Sequence, residues 1–162
     1  MAKKGTCKEL QVFGGNLNFI RSQEGLTVKQ FAEKIEYDRV YSGRLLSGKQ
    51  NIKLSTAISI ARNTGYSLSA LFNSCFIDDF EYREGEGFEE INYLKSYLKS
   101  ANQKMSSGRI SQNEIAMATD MDKAAISRIL SGKINDPTIR TMSVISKAMN
   151  SSLSDMLRKE DI

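Results

Sequence analysis

Residues 44–49 read Arg-Leu-Leu-Ser-Gly-Lys, and residues 128–133 read Arg-Ile-Leu-Ser-Gly-Lys. The two strings lie 84 residues apart, and the likeness spreads outward from them. Upstream, Thr27, Val28, Lys29, Gln30, Phe31 and Ala32 align with Ser111, Gln112, Asn113, Glu114, Ile115 and Ala116, and Asp38 aligns with Asp122. Downstream, the second copy gains one residue and the offset becomes 85. Leu54 then meets Ile139, Thr56 meets Thr141, Ile60 meets Ile145, and Leu68-Ser69 meets Leu153-Ser154. A period this long in a chain of 162 residues marks a duplicated domain rather than a solenoid of short repeats.

The second copy shows the local plan most clearly. Ser111 and Glu114 have the spacing of a capping box, so a short helix should run through Ile115-Ala116-Met117-Ala118. Asp122 is a good cap for the next helix, and Gly132 suits its left-handed end. Between them Ile126, Ile129 and Leu130 recur at three and four residues and form one inward stripe. Pro137 is placed to open a further helix, with Asp136 as its cap, carrying Ile139, Met142, Ile145 and Ala148. Leu153, Met156 and Leu157 mark a last short one.

The first copy repeats the plan. Thr27 caps a helix, Gln30 completes its box, and Phe31, Ala32 and Ile35 face inward. Asp38 caps the next helix and Gly48 ends it. Leu54, Ile58, Ile60 and Ala61 mark a fourth helix, and Leu68, Leu71 and Phe72 a fifth. Each copy also has a helix in front, marked by Phe13, Leu17 and Ile20 in one and by Phe88, Ile91, Leu94, Leu98 and Ala101 in the other. The expected fold is all-α, with five short helices per unit. The units span residues 1–76 and 88–162, joined by an acidic linker at 77–87.

Composition narrows the chemistry. With no histidine, a Ser-His-Asp triad, a Cys-His pair and a histidine-containing zinc site are excluded. Cys7 and Cys75 are too few for a four-ligand metal site or a disulfide framework, and Cys75 reads as a small buried residue. No glycine-rich phosphate loop or paired carboxylate helix is present, so no enzyme activity, metal or cofactor is expected. Lys3 and Lys4 precede no signal-length apolar run, and no stretch approaches the roughly 20 apolar residues of a membrane span. A cytoplasmic protein without membrane contact is expected.

Charge is distributed in blocks. Residues 1–76 hold 11 basic and 5 acidic side chains; residues 77–90 hold Arg83 against seven carboxylates; residues 91–162 hold 11 basic and 7 acidic. Basic blocks favour a polyanion such as nucleic acid, although lysines also simply keep a surface soluble.

Each unit resembles the Cro/repressor helix-turn-helix domain of the Xre family, a lambda-repressor-like fold. The likeness rests on Ser111-Gln112-x-Glu114-Ile115-Ala116, then Asp122 through Ile126-Ser127-Arg128-Ile129 to Gly132-Lys133, then Asn135-Asp136-Pro137-Thr138. It covers roughly residues 13–72 and 90–157. The resemblance implies a sequence-specific reader of double-stranded DNA that regulates transcription, commonly as a repressor and commonly as a homodimer. The helix after the turn would enter the major groove. Carried over position by position, the base-reading side chains would be Arg39, Val40, Tyr41 and Arg44 in the first unit and Lys123, Ala124, Ala125 and Arg128 in the second. Phosphate contacts would come from Thr27, Lys49, Asn51 and Lys53, and from Ser111, Gln112, Lys133 and Asn135.

The first unit departs from the pattern twice. Val28 stands where the second unit keeps Gln112, and Ser42-Gly43 replaces the apolar Ile126 and its neighbour. That predicts a weaker first recognition helix, read with distortion or not at all, with Tyr41 folding over the gap. The rival reading follows from this. In it one unit has left DNA to bind a protein, as in phage or plasmid inhibitors of toxins and defence enzymes, while the other regulates the promoter. The linker aromatics Phe76, Phe80, Tyr82 and Phe88 allow a solvated spacer, a segment docked on a domain, or a dimer contact.

Overall fold

The computed structural model describes residues 7–82 and 87–158. Lys3, Lys4 and the part of the acidic segment from residue 83 to 86 lie outside the described residues. Among those described there are ten α-helices and no strand. The first unit holds α1 (Lys8–Gln23), α2 (Val28–Ile35), α3 (Arg39–Leu46), α4 (Leu54–Thr64) and α5 (Leu68–Leu71). The second holds α6 (Tyr93–Gly108), α7 (Gln112–Thr119), α8 (Lys123–Leu130), α9 (Ile139–Ala148) and α10 (Leu153–Leu157).

The helices start where local chemistry supplies caps. Thr27 Oγ1 accepts the Gln30 amide and the Gln30 side chain accepts the Thr27 amide, a complete box. Ser111 caps the Glu114 amide, but the Glu114 carboxylate turns to the Ser111 hydroxyl instead of its backbone, so only half the box forms. Asp38 and Asp122 cap α3 and α8 through the amides of Tyr41 and Ala124. Gly48 and Gly132 follow the recognition helices at φ of 74° and 80°, where a side chain would be strained.

Three expectations need correction. The helix after the second turn begins at Ile139 under a Thr138 cap, not at Pro137 under Asp136. A threonine hydroxyl in reach of the Thr141 amide does the capping, which leaves the Asp136 carboxylate for another partner. In α6 the fully inward residues are Tyr93, Tyr97 and Ala101; Leu94 and Leu98 are only half-buried, and Phe88 and Ile91 precede the helix. The tyrosines take the core because Tyr97 finds a buried acceptor, the Met142 carbonyl at 2.9 Å. Cys75 is exposed rather than buried, since it sits in the turns after α5.

The two units share one continuous core, and the contact between them is reciprocal. The Leu54 amide donates to the Pro137 carbonyl at 2.9 Å, and the Ile139 amide donates to the Ile52 carbonyl at 2.8 Å. At an offset of 85, Leu54 matches Ile139 and Ile52 matches Pro137, so each bond is the image of the other. The Ser69 hydroxyl donates to the Ser154 carbonyl at 2.7 Å, and the Ser154 hydroxyl donates to the Ser69 carbonyl at 2.7 Å. The Ser55 amide and hydroxyl meet the Asp136 carboxylate at 2.9 and 2.6 Å, while the Arg140 amide meets Asn51 Oδ1 at 3.2 Å. Ser55 matches Arg140, and Asn51 matches Asp136. Contacts that exchange i with j in this way are isologous. The chain therefore folds as a pseudo-two-fold pair, with α5 packed on α10 at the junction.

The acidic segment is docked on the first unit. Phe76 is fully buried. Phe80 meets Phe19 edge-on at 5.0 Å and Phe76 at 5.7 Å, and Tyr66 completes the cluster. Further on, the Phe88 amide donates to the Gly65 carbonyl, and Arg62 pairs with Glu90 while lying over the Phe88 ring. Tyr82 stays in solvent.

Candidate nucleic-acid interface

In both units the helix after the turn is eight residues long and regular, so Gly43 introduces no break. The first recognition helix is not distorted at the level of its backbone. Its inward residue Ser42 is as fully buried as Ile126, yet the Ser42 hydroxyl has no hydrogen-bond partner. The neighbouring helix comes near the end of α3. A Cβ on Gly14 of α1 would lie 2.3 Å from the Leu45 carbonyl oxygen and 2.9 Å from that of Leu46. Backbone approach thus seats the C-terminal end of α3 tightly on α1.

The outward faces carry the predicted readers. Arg39, Val40 and Arg44 are exposed in α3, with Val40 at 76%. Lys123, Ala124 and Arg128 are exposed in α8, and Ala125 is half-buried. Arg44 Nε donates to Gln50 Oε1 at 3.1 Å, which aims the guanidinium along the end of its helix. The Tyr41 ring stacks on Tyr37 at 4.9 Å. Burial, then the neighbouring Tyr37 and Asp38, hold its phenol above the ordinary value, so it stays neutral and keeps its O–H.

The predicted phosphate group divides in two. Thr27, Lys49 and Lys53 are exposed, as are Ser111, Lys133 and Asn135, while Gln112 is half-buried. Asn51 is half-buried and its Oδ1 is engaged by Arg140 across the junction. Lys53 stands in an antiparallel bridge with Thr138, so this cation sits beside the pseudo-dyad.

Sequence reasoning missed the junction. Local spacing makes Asp136 a cap, and the repeat makes Ser69 and Ser154 a matched pair without saying what they bond. The signal lay in that match. A hydroxyl retained at the same place in two short apolar helices needs a buried acceptor, and each serine finds one in the other unit. Among the described residues no group of three His, Cys, Asp or Glu side chains is disposed to hold a metal, and no helix is long and apolar enough to cross a membrane.

Comparison with known proteins agrees with this geometry. A family model described as helix-turn-helix matches the chain twice, at residues 19–71 and 107–156. The chain is also similar to Control protein C.MunI of a Mycoplasma species, 34% identical over 62 residues. That stretch is 38% of this chain and 84% of the control protein. No solved structure matches significantly.

Proposed function

Because the chain belongs to the helix-turn-helix family of DNA-binding transcriptional regulators, we propose that both of its units read double-stranded DNA, one major-groove half-site each, and that occupancy represses the promoter beneath. One observation carries this reading. The two recognition helices belong to units joined by reciprocal bonds about a pseudo-dyad, and each turns two cationic side chains to solvent. Arg39 and Arg44 on α3, and Lys123 and Arg128 on α8, suit guanine O6 and N7; Val40 and Ala124 suit the thymine methyl. Thr27, Lys49, Lys53, Ser111, Gln112, Lys133 and Asn135 anchor the phosphates. Asn51 adds to them only through its amide nitrogen, its oxygen being held by Arg140.

A homodimer of such chains would carry four readers. The junction already supplies the pairing that a single-unit protein obtains from a second copy, so one chain suffices for two half-sites. The protein-inhibitor alternative requires one unit with a lost reading face. The exposure of all four cations supports two readers instead. Such a regulator works in the cytoplasm, at the chromosome it binds.

Selection of sites from a random duplex library tests the proposal. Wild type should yield a bipartite motif, and Arg44→Ala and Arg128→Ala should each blur one half, with an affinity loss of about 1–3 kcal/mol. A mutant that changes nothing would reassign its unit to a protein partner. Log affinity should also fall with log salt by about 0.9 per phosphate neutralised.

A further inference from the structure

We infer that the DNA target of this chain is directional: two unlike half-sites in fixed order, read by a single chain. The inference rests on the DNA-reading assignment above and adds to it the form of the target.

Two independent observations combine. The first is the junction. Its bonds are exchanged pairwise at an offset of 85, from Leu54–Pro137 and Ile139–Ile52 to Ser69–Ser154. The two units are thus placed as the halves of a symmetric dimer would be. Covalent connection makes the pairing independent of protein concentration, and the buried serines close the surface to a second copy. The second observation is that the reading faces, unlike the junction, do not match. Arg39 corresponds to Lys123 in the repeat, Val40 to Ala124, and Tyr41 to Ala125; only Arg44 and Arg128 agree.

These differences are chemical. An arginine fork grips guanine through two bonds, whereas a lysine is a point charge. Val40 projects a branched apolar group 76% into solvent, where Ala124 offers one methyl. Tyr41 is held on Tyr37 with its hydroxyl protonated, where Ala125 leaves room for a base edge to approach. A framework that keeps two-fold symmetry in its bonds and drops it at the bases fits a target with conserved spacing and unlike halves. A palindrome made from either half leaves one unit over the wrong bases.

The test compares three duplexes built from the selected motif: the natural order and the palindrome of each half at equal spacing. Affinity and complex mass are measured together. Wild type should bind the natural order roughly tenfold or more tightly than either palindrome, the usual effect of a wrong base pair, with one chain per duplex. The triple variant Arg39→Lys/Val40→Ala/Tyr41→Ala gives the first unit the second unit's readers, at two exposed positions and the half-buried Tyr41. It should switch its preference to the palindrome of the second half, with its circular-dichroism melt confirming the fold. A palindrome bound as tightly as the natural order by wild type, or two chains on each duplex, would overturn the inference while leaving DNA reading intact. Absence of any selected motif would overturn the DNA reading and this inference with it.

Discussion

Helix α1 rests on its recognition helix through Gly14, whose missing side chain admits the carbonyls of Leu45 and Leu46; helix α6 rests on its own through Leu98, half-buried beside Gly132. The first unit packs backbone against backbone over a buried Ser42. The second sets the Leu98 side chain beside Gly132 and buries Ile126. Both arrangements leave a recognition helix of eight residues with its cations outward. The outward face of such a unit therefore tolerates a change in how the helix behind it is seated. What both units must keep is the junction, where each half completes the other's hydrogen bonds.

The comparison can be broken at four places, in descending order of effect. Ser154→Asp puts an unpaired carboxylate beside the Ser69 carbonyl, in a position 5% exposed. Stability should fall by about 3 kcal/mol or more, as for a buried uncompensated charge, with both units melting in one transition by calorimetry. Independent melting of an intact first unit would show that the junction does not couple them.

Ile126→Ala and Ser42→Ala then separate the two cores. Removing Ile126 empties a fully buried site and should cost about 2–5 kcal/mol. Removing the Ser42 hydroxyl deletes a buried group without a partner and should be neutral or slightly stabilising. Urea titration decides this, and equal costs would mean that the first recognition helix is not seated by backbone approach.

The helices behind the readers give a third contrast. Gly14→Ala drives a methyl into two carbonyl oxygens and should cost about 1–3 kcal/mol. Leu98→Ala removes a half-buried side chain and should cost about 1 kcal/mol. Thermal melts of the pair should keep that order.

The smallest effect is confined to alkaline pH. Burial among apolar groups, only partly offset by Ser146, raises the Tyr97 phenol well above its usual value near 10. Folding favours the neutral phenol, so its contribution is constant below pH 10 and is lost as pH climbs past that value. Tyr97→Phe should lower stability slightly at neutral pH, because the Met142 carbonyl loses one of its two side-chain donors and keeps the Ser146 hydroxyl, and should flatten the decline above pH 10. An unchanged alkaline slope would place the sensitivity elsewhere.

The sequence made the helices legible because their signals are local and occur twice. Thr27 and Ser111, Asp38 and Asp122, Gly48 and Gly132 mark the same turns at the same spacing, and apolar residues recur behind them. The reading faces follow from that register. The junction was not legible, because periodicity shows which stripe is buried but not whether it meets its own unit or its sibling. Asp136 beside Pro137 has every mark of a cap, and only the position of Ser55 81 residues away in sequence gives it another partner. The α6 register was missed for a related reason. Leucine outranks tyrosine as a core residue until a buried carbonyl waits for the phenol.

The central claim is that one chain holds two DNA readers as an intramolecular pair. The most direct measurement is the mass of the complex on a duplex carrying the selected bipartite site, by sedimentation at several protein concentrations. The account predicts a single 18.1 kDa chain per duplex at every concentration, with the complex weakened when either Arg44 or Arg128 is replaced by alanine. Two chains per duplex, appearing only as concentration rises, would contradict it.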